Sequence, residues 1–339
     1  MNKKTENENK TKENIKKSKD TNINKSNTIE NSPNNEKQEL LDIKNDYVFK
    51  RTFGYKGDEE VTKVLLRDIL GMKVNEINLD VNPITEKELM DDKLGIMDIA
   101  SVVNDNVQVD IEMQVVNKNN IEKRIMYYWN AYYQKSISKG DDYGKLKRTI
   151  IILIADFEIK GIEQAKKYFT EWEIREKDYS ELILTDVLKI CIIELPKYIK
   201  YKVNNPNLNL WTEFLENPEV INMSEKDIEN EKDESLRTTK KAIKQAKDTL
   251  EQISKDKHEQ ELARLRKKYI MDQNAIQEYG YCRGIEEGVE IGKRDGIEIG
   301  KYESLKETAK KMLAKKMPID VIIEITGLSK EEIKKVEKA

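Results

Sequence analysis

The sequence predicts an α/β protein with a mixed-sheet core and a long, charged helical extension. Three observations lead there. A β-branched run, Thr149-Ile150-Ile151-Ile152-Leu153-Ile154-Ala155, reads as a strand buried on both faces. Two apolar stretches flank Asn104-Asp105-Asn106, which is turn chemistry, and read as a hairpin. Helical periodicities precede and follow these strands, and from Ser224 onward the chain is almost wholly helical, with opposite charges at i,i+4. Helix, three strands, helix and strand in that order make a mixed sheet.

The elements follow in order. Residues 1–38 are Asn, Lys, Glu, Thr and Ser with few apolar side chains, and read as a disordered polar tail. A basic, phosphate-touching arm is the weaker reading, because glutamates are mixed among the lysines. Asn45 is a helix-cap candidate ahead of Asp46-Tyr47-Val48-Phe49-Lys50. Val61, Val64, Leu65, Ile69 and Leu70 recur at helical spacing, and Gly71 is a stop signal. Residues 74–84 hold a first strand, with Ile77, Leu79 and Val81 alternating. A helix is expected from Ile121 to about Lys139 and a further strand within Leu182–Leu195. Asn204–Asn209 reads as a linker and Leu210–Leu215 as a short helix. The resulting division is a tail at 1–38, a core domain at 39–218, a charged helical extension at 219–301 and a small helical tail at 302–339.

The hairpin carries the strongest functional signal. Asp98 interrupts the apolar run Ile96-Met97-Asp98-Ile99-Ala100. If Val103 pairs with Val107, Asp98 falls directly opposite Glu112. Facing residues of an antiparallel pair point to one sheet face with Cβ atoms about 4.5–5.5 Å apart. Gln114, two residues beyond Glu112, shares that face. Two carboxylates at that distance call for a cation, either a hard divalent metal or a basic side chain such as Arg124. The plainer reading of Glu112 and Gln114 alone is the wet face of an amphipathic strand.

Composition narrows the chemistry. The net charge of −3 excludes a global positive field for nucleic acid, so any such contact is local or bridged by metal. Two cysteines far apart give neither a disulfide framework nor a zinc site, and a single histidine, His258, leaves carboxylate chemistry as the remaining route. No apolar run is long enough to span a bilayer and no secretory signal is evident, so a cytoplasmic protein that does not engage membranes is expected.

Two features lie downstream. Gly284, Gly288, Gly292, Gly296 and Gly300 recur every four residues. Each costs about 1 kcal/mol in a helix interior. A compensating gain is expected from homo-oligomerisation through a close helix–helix approach, with a flexible linker as the equal alternative. The segment Pro318 to Ile333 reads as helix, glycine turn and helix, with Ser329 and Glu332 as a capping box. A small docking or capping pair is favoured over a DNA reader, because the second helix is short.

Taken together, Asn45-Asp46-Tyr47-Val48-Phe49-Lys50, Lys93-Leu94-Gly95-Ile96-Met97-Asp98, Ile111-Glu112-Met113-Gln114, Arg124-Ile125-Met126-Tyr127-Tyr128-Trp129, Gly140, Tyr143, the glycine helix and Thr326-Gly327-Leu328-Ser329 resemble the Rpn family of recombination-promoting nucleases, labelled PD-(D/E)XK nuclease family transposases. The resemblance implies a restriction-endonuclease-like fold and cleavage of DNA phosphodiester bonds dependent on Mg²⁺ or Mn²⁺. It puts Asp98, Glu112 and Gln114 at the catalytic motif positions, the third being usually Lys in the wider superfamily. Asp98, Glu112 and the main-chain carbonyl of Met113 would hold the metal. Asp46 and Arg124 are accessory candidates, and Lys118 and Tyr128 candidate DNA contacts; Tyr128 and Tyr132, one turn apart, could both meet DNA and read at least as well as core. The alternative is a degenerate nuclease fold that serves as a DNA- or protein-binding or assembly module.

Overall fold

A computed structural model describes residues 39–54, 59–80, 98–117 and 120–338. The expected tail at 1–38, the end of the first strand including Val81, and Lys118 lie outside the described residues. One six-stranded sheet organises the rest, in the order β1 (Ile77–Asp80), β2 (Ile99–Val103), β3 (Val107–Gln114), β4 (Arg148–Ala155), β6 (Ile183–Glu194) and β5 (Phe169–Arg175). β1, β2 and β3 are antiparallel, β3, β4 and β6 run parallel, and β5 returns antiparallel on β6. The sheet is therefore mixed, as predicted.

The hairpin forms as its turn residues dictate. Asn104 and Asp105 both take positive φ, a conformation asparagine and aspartate tolerate better than other side chains. Asn104 also accepts from the amides of Asn75 and Glu76 and donates to the Lys73 carbonyl, which ties the turn to the chain entering β1. Val103 pairs with Val107, the expected register.

Both sheet faces are covered. On one face Val109, Ile111, Ile150 and Ile152 meet α1 (Asp46–Phe53), α2 (Glu59–Leu70), α4 (Pro206–Glu216) and α6 (Glu234–Lys255). On the other, Ile151, Leu153 and Ile192 meet α3 (Ile121–Gln134) through Ile121 and Ile125. α3 is the crossover that a parallel β3–β4 pair requires. α1 begins where predicted, the Asn45 side chain accepting from the amides of Tyr47 and Val48.

Several expectations change. β5 was not foreseen, because its polar, half-exposed sequence is that of an edge strand. Asn204–Asn209 is no linker: Asn205 caps a helix with Pro206 in its first turn, and Trp211 and Phe214 of that helix are fully buried. α3 ends at Gln134, short of Lys139. Beyond residue 218, Ala242, Ile243, Ala246 and Leu250 of α6 belong to the main core.

Beyond the short α5 (Glu225–Glu229) and α6, α7 (Lys257–Ala314) is a single 58-residue helix that runs through the whole glycine repeat. Its end packs with α8 (Ile319–Thr326) and α9 (Lys330–Lys338) around Ala309, Met312, Ile322, Leu328 and Ile333. Gly327 takes positive φ after α8, and Ser329 and Glu332 bond reciprocally, as the capping box predicts.

Candidate active site

Ile99 pairs with Ile111, so the next pair outward is Asp98 and Glu112. Hydrogen bonds hold them together. The Asp98 amide donates to Glu112 Oε1 at 3.3 Å, and the Met113 amide donates to Asp98 Oδ2 at 2.9 Å. Gln114 Nε2 donates to Glu112 Oε2 at 3.3 Å. From α3, Arg124 Nη1 donates to Gln114 Oε1 at 3.2 Å and Nη2 to the Tyr128 hydroxyl at 3.0 Å. The three expected motif residues thus form one connected group, with Arg124 and Tyr128 at its rim.

This is not the wet face of a strand. Gln108, Asp110 and Glu112 are buried, because Asp110 and Glu112 pair with Ile151 and Leu153 of β4 on the face that α3 covers. Burial pushes the Asp98 carboxyl above the ordinary range despite the Lys50 charge beside it. Burial, with the charges of Asp98 and Asp110, pushes Glu112 well above it. Asp110 is raised well above its usual value too, by burial first and Asp98 second. Both Asp110 oxygens lack a hydrogen-bond donor among the described residues; the neighbouring polar group is the Glu112 carboxyl, and a bond between the two needs a shared proton.

The cation beside Asp98 is Lys50 of α1, not Arg124: Nζ lies 3.1 Å from Asp98 Oδ1. Burial works against the Lys50 ammonium, but the Asp98 charge and hydrogen bond, with Asp46 and Glu112 behind them, hold its pKa above that of an ordinary lysine. Sequence reasoning passed over Lys50 and gave Asp110 no role. The signal for Asp110 was its place in the polar alternation of β3. For Lys50 it was only a helix whose packing could not be read from sequence.

A family model described as PD-(D/E)XK nuclease family transposase matches residues 43–280, more than half of the chain. The chain belongs to that family. A second model, the C-terminal HTH domain of the Rpn/YhgA-like nuclease family, matches residues 303–338. Comparison with curated proteins and with solved structures gives no match. The chain is thus an Rpn-family PD-(D/E)XK protein from the core through the helical tail. The helix pair read from sequence as a docking unit is the family's HTH element.

The donor set of this PD-(D/E)XK site suits a hard divalent cation. Among the described residues three buried carboxyls have one ammonium in contact with them, so full ionisation leaves a surplus of negative charge that burial makes costly. Among the described residues no three acidic, histidine or cysteine side chains gather as a ready metal cage. A cation there would find two carboxylates, Asp98 and Glu112, and a main-chain oxygen such as that of Met113. Asp46 is engaged elsewhere: Arg266 of α7 grips its carboxylate at 2.6 and 2.8 Å, a scaffold contact. Tyr132 is core, its hydroxyl donating to the Ser101 carbonyl.

α7 closes over this end of the site. A cavity of about 50 Å³ is lined by Met113, Gln114, Arg124, Arg266, Tyr269 and Asn274. Asn274 and Val116 also line an open groove of about 680 Å³ that extends along α7 past Gln277 to Tyr281.

Proposed function

We propose that the protein is a divalent-metal-dependent DNA endonuclease. The observation that carries this reading is the buried juxtaposition of Asp98 and Glu112, which the family resemblance assigns to the catalytic motif, with more negative charge than Lys50 offsets. Asp98, Glu112 and the Met113 carbonyl would hold Mg²⁺ or Mn²⁺. Such an ion supplies positive charge against the scissile phosphate and acidifies the attacking water. The chain's own residues do the rest. The Met113 amide fixes the Asp98 carboxylate, and Gln114, held between Glu112 and Arg124, is placed to orient the water. Gln114 keeps the geometric role of the usual motif lysine without its charge.

DNA is the proposed partner. The groove beside Gln114 and the HTH element at the far end of α7 are the two surfaces for it. Tyr128 and Lys118 are proposed DNA contacts, Tyr128 on its placement beside Arg124. Recombination would follow from the breaks made, and a DNA substrate would place the work in the cytoplasm. Among the described residues no helix is long and apolar enough to cross a membrane. A second copy of the chain is the proposed partner of the glycine-bearing stretch of α7, where Ile285, Val289 and Ile297 are exposed beside the glycines.

The test is incubation of purified protein with supercoiled plasmid and Mg²⁺ or Mn²⁺, beside Asp98→Ala and Glu112→Ala. Metal-dependent nicking that disappears in both variants is expected. Folded, inert wild type that still retains DNA would favour the binding-module reading.

A further inference from the structure

The missing lysine has a replacement in space. We infer that Lys50 is the catalytic cation of this site, delivered from α1 rather than from β3, and that its ammonium faces the scissile phosphate. The inference rests on the nuclease reading above.

Three observations carry it. The first is position. Lys50 Nζ lies 3.1 Å from Asp98 Oδ1, on the carboxylate that pairs with Glu112 across the hairpin. The basic groups nearby are committed differently: Arg124 to Gln114 and Tyr128, Arg266 to Asp46, and Lys44 to Asp156 at 3.0 Å.

The second is donor capacity. An ammonium carries three N–H groups. Among the described residues Asp98 takes one, which leaves two for a phosphate oxygen and for water. The side chain is 17% exposed, so solvent screens it little, and a phosphate that displaced the remaining water would feel it strongly.

The third is rigidity. The helix that bears Lys50 is clamped to α7 on either side of it. Asn45 donates to the Ala263 carbonyl, Arg266 grips Asp46, and Glu259 takes both the Tyr47 hydroxyl and the Arg51 guanidinium. A lysine needed only to neutralise Asp98 could sit on a mobile segment. One that meets a phosphate must be held in place.

Plasmid cleavage and calorimetric Mn²⁺ titration on the full chain test this together. Lys50→Met should cut about 100-fold more slowly or worse, the scale of losing one oxyanion donor. Its Mn²⁺ affinity should be unchanged or tighter, because a competing positive charge has left Asp98. The double variant Lys50→Met/Gln114→Lys should recover at least about tenfold of that loss, since it returns an ammonium to the motif position. Lys50→Arg keeps the ion pair and the fold, and should still lose about tenfold or more, because a planar guanidinium is longer and differently directed.

Lys50→Met or Lys50→Arg cutting at the wild-type rate would overturn the inference and leave the nuclease reading standing. So would a double variant that folds, binds Mn²⁺ and recovers nothing. Loss of Mn²⁺ binding in Lys50→Met would make Lys50 a structural counter-ion and also overturn it. A wild type that binds no Mn²⁺ and cuts nothing would overturn both readings at once.

Discussion

Asp110 pairs with Ala100 on one side and Ile151 on the other, is fully buried, and meets no donor among the described residues. Together with Asp98 and Glu112 it gives the folded protein three carboxyls whose pKa values are raised by burial. Such groups hold protons in the folded state that the unfolded chain has already released. The stability of the metal-free protein should therefore fall as pH rises above the ordinary carboxylate range of about 4 and onward through the raised values. Melting temperatures in EDTA, taken from about pH 5 to about pH 8, should decline. Asp110→Asn should flatten that decline and add about 1–3 kcal/mol at the upper end, the scale of relieving one unsatisfied buried group. A flat wild-type profile would contradict this charge count. Lys50 acts at the opposite limb: its raised pKa gives stability that persists below the lysine range and is lost in strong alkali. The Asp98–Glu112 pairing was legible from sequence, because hairpin register follows from turn residues and alternation. The partner of Asp98 was not, because Lys50 arrives from an element 48 residues earlier in the chain, whose packing is set by tertiary contacts.

At the scale of elements, the hairpin and the buried strand β4 could be read from sequence, since turn chemistry and a β-branched run leave few alternatives. β5 and the start of α4 could not. The first is a polar edge strand, and the second opens with Asn and Pro, which read equally as a loop. The docking of α7 on α1 was also hidden, although it decides how the site is built. Glu259 receives Tyr47 and Arg51, the residues that straddle Lys50. Glu259→Ala should cost about 1–3 kcal/mol in urea unfolding, as expected for charge-assisted bonds in a half-buried setting. It should also slow cleavage by loosening the helix that carries Lys50. Unchanged stability would mean that α1 is positioned by its apolar face alone, through Phe49 and Phe53.

Across the whole molecule, α7 links the PD-(D/E)XK core to the HTH element through an exposed, glycine-bearing stretch. Among the described residues, a Cβ added at Gly280, Gly284, Gly288, Gly292, Gly296 or Gly300 would meet no atom within 4 Å beyond its own turn of helix. In the single chain these glycines weaken a helix by about 1 kcal/mol each relative to alanine. Gly284→Ala/Gly288→Ala/Gly292→Ala should therefore raise helix stability while lowering the mass measured by light scattering, if a second chain closes on the glycine face. An unchanged mass would assign the repeat to the helix alone. The mixed-sheet core and the helical extension were evident from patterning, whereas the continuity of α7 was not, since a glycine every fourth residue argues locally against helix.

The most direct test of the proposed metal site is an anomalous-difference map from crystals grown with Mn²⁺. A peak bounded by the carboxylate oxygens of Asp98 and Glu112 and by the Met113 carbonyl is expected. No peak there at saturating Mn²⁺, with those side chains ordered, or a peak elsewhere in a protein that still cuts DNA, would contradict it.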